Sequence, residues 1–302
     1  MIERAVTSRS GGERAPGTSG PESARWPRPD VARGPSARAY LLFALGDYLL
    51  DRDQDSAWTQ TIIDALALLG FDERATRQAI ARTAAMGWLV SGRSGRRVRW
   101  RLTEEGRNYL DVAKKRLFAP GLERDWDGEW LVLLVTMPEN QRKLRNRLRT
   151  ALEWEGFGSP AQGVWLSPHA SHAAEARRVI DSLGSSVQGT ILHARLDDPG
   201  ERHRLVAQAW SVNRLDARHR AFIAQWTKAA PATPDEAFVS RTRLVYEYRL
   251  LMLADPRLPP GLLPPDWSGE RARLLVLDRH AQWEPLAVKW WDDREAMTST
   301  AQ

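Results

Sequence analysis

Five arginines, Arg93, Arg96, Arg97, Arg99 and Arg101, fall within eleven residues of this 302-residue chain. A guanidinium is planar, always charged and forked to match a phosphate, so such a cluster suits the backbone of a nucleic acid. Upstream, Arg74, Arg77, Gln78 and Arg82 recur three and four apart, which puts them on one side of a helix. Arg pairs with guanine and Gln with adenine in the major groove, so this second set has the chemistry of base readout.

The charge distribution separates these residues from the rest. Residues 1–120 hold 20 Lys and Arg against 14 Asp and Glu, while residues 121–302 hold 24 of each, so the net +6 belongs to the first part. Residues 72–102 alone carry eight arginines against Asp72 and Glu73. A field so concentrated attracts polyanions and makes their binding salt-dependent. Other chemistry has little to work with. Cysteine is absent, which removes thiolate ligands and cysteine nucleophiles. His169 and His172 have a zinc-like spacing, but neither Cys nor a nearby acid completes a tetrahedral set, so they and His193 are read as surface histidines. No Gly-x-Ser-x-Gly or phosphate-loop motif occurs. No apolar stretch approaches the ~20 residues of a membrane span, and no apolar segment follows the basic N-terminus as in a secretory signal. The expectation is a soluble cytoplasmic protein with no cofactor, metal or catalytic residue.

The elements that must position the arginines can be read locally. Residues 1–34 are rich in Ser, Gly, Pro and Arg and are expected to form a disordered tail. Ser36 caps a first helix with Tyr40, Leu41, Ala44, Leu45, Tyr48 and Leu49 on one face. A second, with Ile62, Leu66 and Leu69, stops at Gly70. Asp72 caps a third, which turns Ala75, Ala79, Ile80 and Thr83 inward and Arg74, Arg77, Gln78 and Arg82 outward. Trp88–Val90 and Val98–Leu102 then alternate as strands around a loop from Gly92 to Gly95. Arg97 and Arg99 share one strand face, expected to point outward, and a capped helix follows Thr103. This is the pattern of a winged helix-turn-helix. Beyond Trp126, strands at Trp130–Val135, Val164–Leu166 and Val187–Leu192 alternate with helices at 139–154 and 172–183, suggesting a ferredoxin-like α/β sandwich. Helices over 200–228 and 235–254, a proline-rich connector from Asp255 and a last helix over 269–282 complete an α+β multidomain chain. Its expected boundaries are 35–120, 121–197 and 198–302, the last a C-terminal helical domain.

Several short segments, in order, resemble the PaaX family of transcriptional repressors, which control phenylacetate degradation. They are Leu45–Tyr48, Gly87–Leu89, Gly95–Arg97, Leu102–Thr103, Trp126–Trp130, Gly156–Gly158, Tyr248–Arg249, and Asp255-Pro through Leu262-Leu-Pro264 to Trp267-Ser-Gly269. The set spans about residues 36–285. The resemblance implies a winged helix, a central ferredoxin-like domain similar to a CRISPR adaptation nuclease subunit, and a homodimer on palindromic double-stranded DNA. It also implies release by phenylacetyl-CoA or another acyl-CoA thioester. Such an effector needs an apolar slot and cationic residues for its phosphates, for which Trp126, Trp130, Arg145, Arg149, Trp210 and Trp226 are candidates, together with Tyr246. The basic tail and the unusually basic wing depart from the family pattern.

Competing readings are a metal-dependent nuclease or acyl-CoA-handling enzyme with an appended basic domain, and a nonspecific architectural DNA binder. A nuclease would need carboxylates where the first central strand ends. Thr136-Met-Pro138 stands there instead, and Asp125 and Asp127 lie at the opposite end.

Overall fold

The computed structural model describes residues 34–50, 52, 55–119, 126–138 and 140–300. The expected tail lies outside them except for Gly34, and so does Asp125. The protein is a mixed α+β chain with two antiparallel sheets among the described residues.

Helix α1 (Ala37–Tyr48) starts at Ser36, whose hydroxyl accepts the Ala39 amide at 3.2 Å. Its spacing suggested one inner face. The structure instead buries Ala37, Tyr40 to Leu45, Tyr48 and Leu49, because α1 is enclosed by neighbours on several sides. A three-residue strand, β1 (Ser56–Trp58), precedes α2 (Thr59–Leu68). Asp72 caps α3 (Glu73–Ala85), its carboxylate accepting the Ala75 amide at 2.7 Å. Gly87 then takes φ 77°, a left-handed conformation that ends the helix and turns the chain into β2 (Leu89–Ser94). Strand β3 (Arg97–Leu102) returns across a two-residue loop, Gly95-Arg96, with Gly95 at φ 61°. The strands therefore run closer to the tip than the four-residue loop expected at 92–95. Strand β1 pairs with β3, giving the order β1-β3-β2. The Thr103 hydroxyl accepts from Gly106 at the start of α4 (Glu104–Phe118) and donates to the Gly87 carbonyl at 2.6 Å, fastening the base of the hairpin.

The second sheet contains β4 (Glu129–Thr136), β5 (Gly158–Ala161), β6 (Val164–Ser167) and β7 (Gln188–Arg195) in the order β5-β6-β4-β7, all pairs antiparallel. Helices α5 (Arg142–Trp154) and α6 (Ala173–Asp181) connect them in a β-α-β-β-α-β sequence. Alternation along β4 splits its side chains: Leu131 and Leu133 join Leu148, Leu152 and Ala176 in one core, whereas Trp130 joins Leu166, Val206, Trp210, Leu258 and Leu262 in another. The proline-rich connector is thus held by Leu258 and Leu262, each 3% exposed.

Two helical expectations change. The single helix over 200–228 is α7 (Pro199–Ala209) and α8 (Val212–Thr227), because Trp210 is extended, 9% exposed and packed into the core behind β4. The last helix, α10 (Gly269–Thr300), passes through Pro285 and runs 18 residues beyond the expected end. Proline removes one helical hydrogen bond, but Trp283, Ala287, Trp290 and Trp291 on both sides of it are buried, and their packing holds the helix together.

The largest core is shared between two of the expected units. It unites residues of α1–α4 with Phe222 and Trp226 of α8 and with α9 (Pro234–Ala254) and α10. Tyr48 stacks on Trp291 with centroids 4.9 Å apart, and Tyr40 meets Tyr246 at 4.9 Å. A charged network lies within this junction. Arg241, 2% exposed, faces Asp47 at 3.4 Å and donates to the His280 carbonyl at 3.1 Å, while His280 Nε2 lies 3.1 Å from Asp47. Burial alone would raise the Asp47 pKa, but Arg241 and His280 hold the carboxyl well below its usual range. No described helix is long and apolar enough to cross a membrane.

Candidate functional site

Arg74, Arg77, Gln78 and Arg82 all project from the exposed side of α3, opposite the buried Thr76, Ala79, Ile80 and Thr83. Thr76 replaces the expected Ala75 among the fully buried positions. Arg77 is engaged by Glu73 one turn earlier at 2.6 Å, a pairing across an exposed surface that is worth little. In the hairpin, Arg93, Arg96 and Arg101 are exposed, whereas Arg97 and Arg99 are only partly so.

That difference corrects the expected direction of one wing face. Arg97 and Arg99 do share a strand face, but it turns toward the end of α10. Arg99 pairs with Glu295 at 2.8 Å and lies over the Trp58 ring, 4.6 Å from its centroid. Arg97 donates to the Thr298 carbonyl. On the opposite face, the Trp100 indole donates to Thr59 at 3.0 Å and Leu102 is buried. Arg101 is exposed and lies 3.9 Å from Asp55, a long ion pair.

A cleft of about 1150 Å³ opens where the second sheet and α5 meet α8 and the proline-rich connector. Of the six effector candidates, Arg145, Arg149 and Trp210 line it. Trp130 stacks behind Trp210 with centroids 6.1 Å apart, and Trp126 packs edge-on to Trp130 at 4.8 Å, so both support the wall. Trp226 belongs to the large core, where its indole donates to Glu247 at 2.9 Å, and Tyr246 is buried in the same core. Neither lines the cleft. Arg214 and Arg218, one turn apart on α8, complete its cationic side. Sequence reading missed these two, although a basic pair at i and i+4 was visible; what it lacked was the fold that brings α8 opposite α5. Trp210 also explains Gly158: a Cβ there would stand 2.4 Å from the indole, so only glycine allows this strand against that wall.

The histidines are not simply on the surface. His172 Nδ1 meets the Ser167 hydroxyl at 2.9 Å and His169 Nε2 meets the Arg257 carbonyl at 3.0 Å, so the pair joins the second sheet to the connector. Burial, with help from His169, pushes His172 down to about 4. His193 is exposed beside Glu129. Asp127 accepts the Glu129 amide at 2.9 Å in the turn before β4, at the end of the strand away from Met137. Among the described residues no cluster of His, Cys, Asp and Glu could hold a metal ion.

These features define a mixed α+β protein in which a basic helix and hairpin are fixed to a helical body, with a cationic, aromatic-walled cleft at its junction with a second sheet. Three family models match successive parts of it: PaaX-like protein over residues 36–106, PaaX protein central Cas2-like domain over 123–206, and PaaX-like protein C-terminal domain over 203–293. The chain belongs to the PaaX family. It is 28% identical over 260 residues to the transcriptional repressor PaaX of Escherichia coli strain K12, covering 82% of this chain and 81% of that one. The solved structure of the uncharacterized protein Rv0674 from Mycobacterium tuberculosis shares the fold, with a TM-score of 0.57 and 24% identity over 86% of this chain and 98% of that one.

Proposed function

We propose that this protein is a DNA-binding transcriptional repressor of a phenylacetate-type catabolic operon, working as a cytoplasmic homodimer without catalytic activity and released by an acyl-CoA thioester such as phenylacetyl-CoA. The observation that carries the reading is the exposed arginine and glutamine face of α3 beside a basic hairpin, in a chain similar to a PaaX repressor over most of its length. In this reading α1–α4 with the β2–β3 hairpin form a winged helix-turn-helix, and β4–β7 with α5 and α6 form a ferredoxin-like sandwich. Helix α3 enters the major groove, where Arg74, Arg77, Gln78 and Arg82 meet base edges, and the wing lies along phosphates.

The cleft supports the effector. Its volume exceeds the roughly 300–1,000 Å³ of drug-sized sites, which suits a ligand as large as a coenzyme A thioester. Arg145, Arg149, Arg214 and Arg218 would face the phosphates while Trp210 and its aromatic neighbours take the acyl end. Because α1–α4 share one core with α9 and α10, an occupant of the cleft shifts that whole body against the second sheet, and with it the spacing of two α3 helices in a dimer. By linkage, the thioester must bind the DNA-free form more tightly.

Changing Arg214 and Arg218 together to Glu is expected to leave operator affinity within about twofold, since neither residue lies on α3 or the hairpin and salt screens exposed charges. The same variant should need at least tenfold more thioester for release. Titration of a labelled operator complex with phenylacetyl-CoA measures both. Unchanged release would remove the cleft from the mechanism, and insensitivity of the parent protein to every thioester would remove the effector class.

A further inference from the structure

Strand β3 sends Arg97, Arg99 and Arg101 to one side of the wing, and the last turns of α10 meet the first two there. Glu295, 5% exposed, accepts the backbone amide of Trp58 at 2.9 Å and the Arg99 guanidinium at 2.8 Å. The same guanidinium lies over the Trp58 ring and reaches the Ser56 carbonyl at 3.3 Å. Trp58 and Arg99 are direct cross-strand partners, so Glu295 grips both strands at one register position. Arg97 donates to the Thr298 carbonyl in the last turn of α10, at the negative end of the helix dipole. Two further pairs, Arg52 with Asp292 at 2.7 Å and Arg294 with Asp64 at 3.6 Å, fasten the same stretch of α10 to the arginine-bearing unit.

We propose that Glu295 is a positioning residue for the wing: by holding Arg99 and Trp58 while the end of α10 holds Arg97, it fixes the angle of the hairpin. Phosphate neutralisation then falls to Arg93, Arg96 and Arg101. Pulling Arg99 onto a phosphate would leave the Glu295 carboxylate buried without its cation, a penalty that one solvent-exposed phosphate contact does not offset. This assignment rests on the reading that the wing lies on DNA.

The test is the salt dependence of the full-length protein on a duplex from its own upstream region, with thermal melts to establish folding. Each phosphate contact contributes about 0.9 to the slope of log K against log salt. Arg93→Ala with Arg96→Ala should lower the slope by about 1.8. Glu295→Gln and Arg99→Ala should each weaken binding roughly tenfold, the cost of ordering a loosened hairpin on DNA, with the slope unchanged. Arg99→Lys keeps the charge but loses the planar bridge, and should behave like Arg99→Ala. If Arg99→Ala instead lowers the slope by about 0.9 and Arg99→Lys restores it, Arg99 is a phosphate ligand and the proposal fails. Tighter binding by Glu295→Gln also overturns it, because α10 would then compete with DNA for the arginines. An unchanged slope in the Arg93 and Arg96 variant removes the wing from the backbone, and both the underlying reading and this assignment fall with it.

Discussion

Replacing Asp47 with Ala is expected to lower folding stability by about 3–5 kcal/mol, the usual cost of leaving one half of a buried ion pair alone. Arg241 is 2% exposed, so water cannot take the place of the carboxylate, and the remaining acidic neighbour, Glu284, lies 3.7 Å from the guanidinium. The network also joins α1 to α9 and α10, so its loss acts where the arginine-bearing unit meets the helical body. The pH dependence has a definite sign. The Asp47 pKa is depressed in the folded protein because Arg241 and His280 outweigh burial. Its contribution is therefore fully present above the ordinary carboxylate pKa of about 4, and is lost as pH falls through the folded value. Urea unfolding of the parent and of Asp47→Ala should show a gap that is constant from neutrality down to about pH 5 and narrows below about pH 4. A loss smaller than about 1 kcal/mol would mean that the network contributes little to holding the two parts together.

The second large effect concerns α3. Arg74→Ala with Arg82→Ala should weaken binding to operator DNA by about 2–6 kcal/mol, taking 1–3 kcal/mol for each bidentate contact with a base. Binding to a scrambled duplex should fall far less, since there each arginine contributes only a screened charge. Competition anisotropy with both duplexes measures the difference. An equal loss on the two would assign these arginines to phosphates and leave base readout to Arg77 and Gln78.

Much of this arrangement is legible because it depends on near neighbours. Ser36, Asp72 and Thr103 each cap a helix within three residues, and the sequence displays all three. The outward face of α3 follows from spacing alone, and Gly87 and Gly95 mark the ends of β2. What escaped depends on distant partners. Strand β1 is three residues long and exists only through β3, some forty residues on. Strand β5 is short and irregular, and its glycine is explained by Trp210 and the Ala209 carbonyl, some fifty residues on. The end of α10 reads as polar and follows a proline, yet Trp291 is buried against Tyr48 of α1, Trp290 against Phe238 of α9, and Glu295 against Arg99 of the hairpin. Alternation along β3 separated its two faces correctly but could not tell that the face of Arg97 and Arg99 meets a helix 196 residues away in the case of Arg99. Likewise, no local pattern joins Arg149 to Arg214 and Arg218; a cleft between units does.

The most direct measurement of the central claim is fluorescence anisotropy of the full-length protein on its own upstream intergenic DNA against a scrambled duplex, in one buffer at one salt concentration. A specific repressor should prefer the upstream duplex by at least about 10³-fold, and phenylacetyl-CoA or a related thioester should reverse that binding. Equal affinity for the two duplexes would contradict the account and leave a nonspecific basic protein in its place.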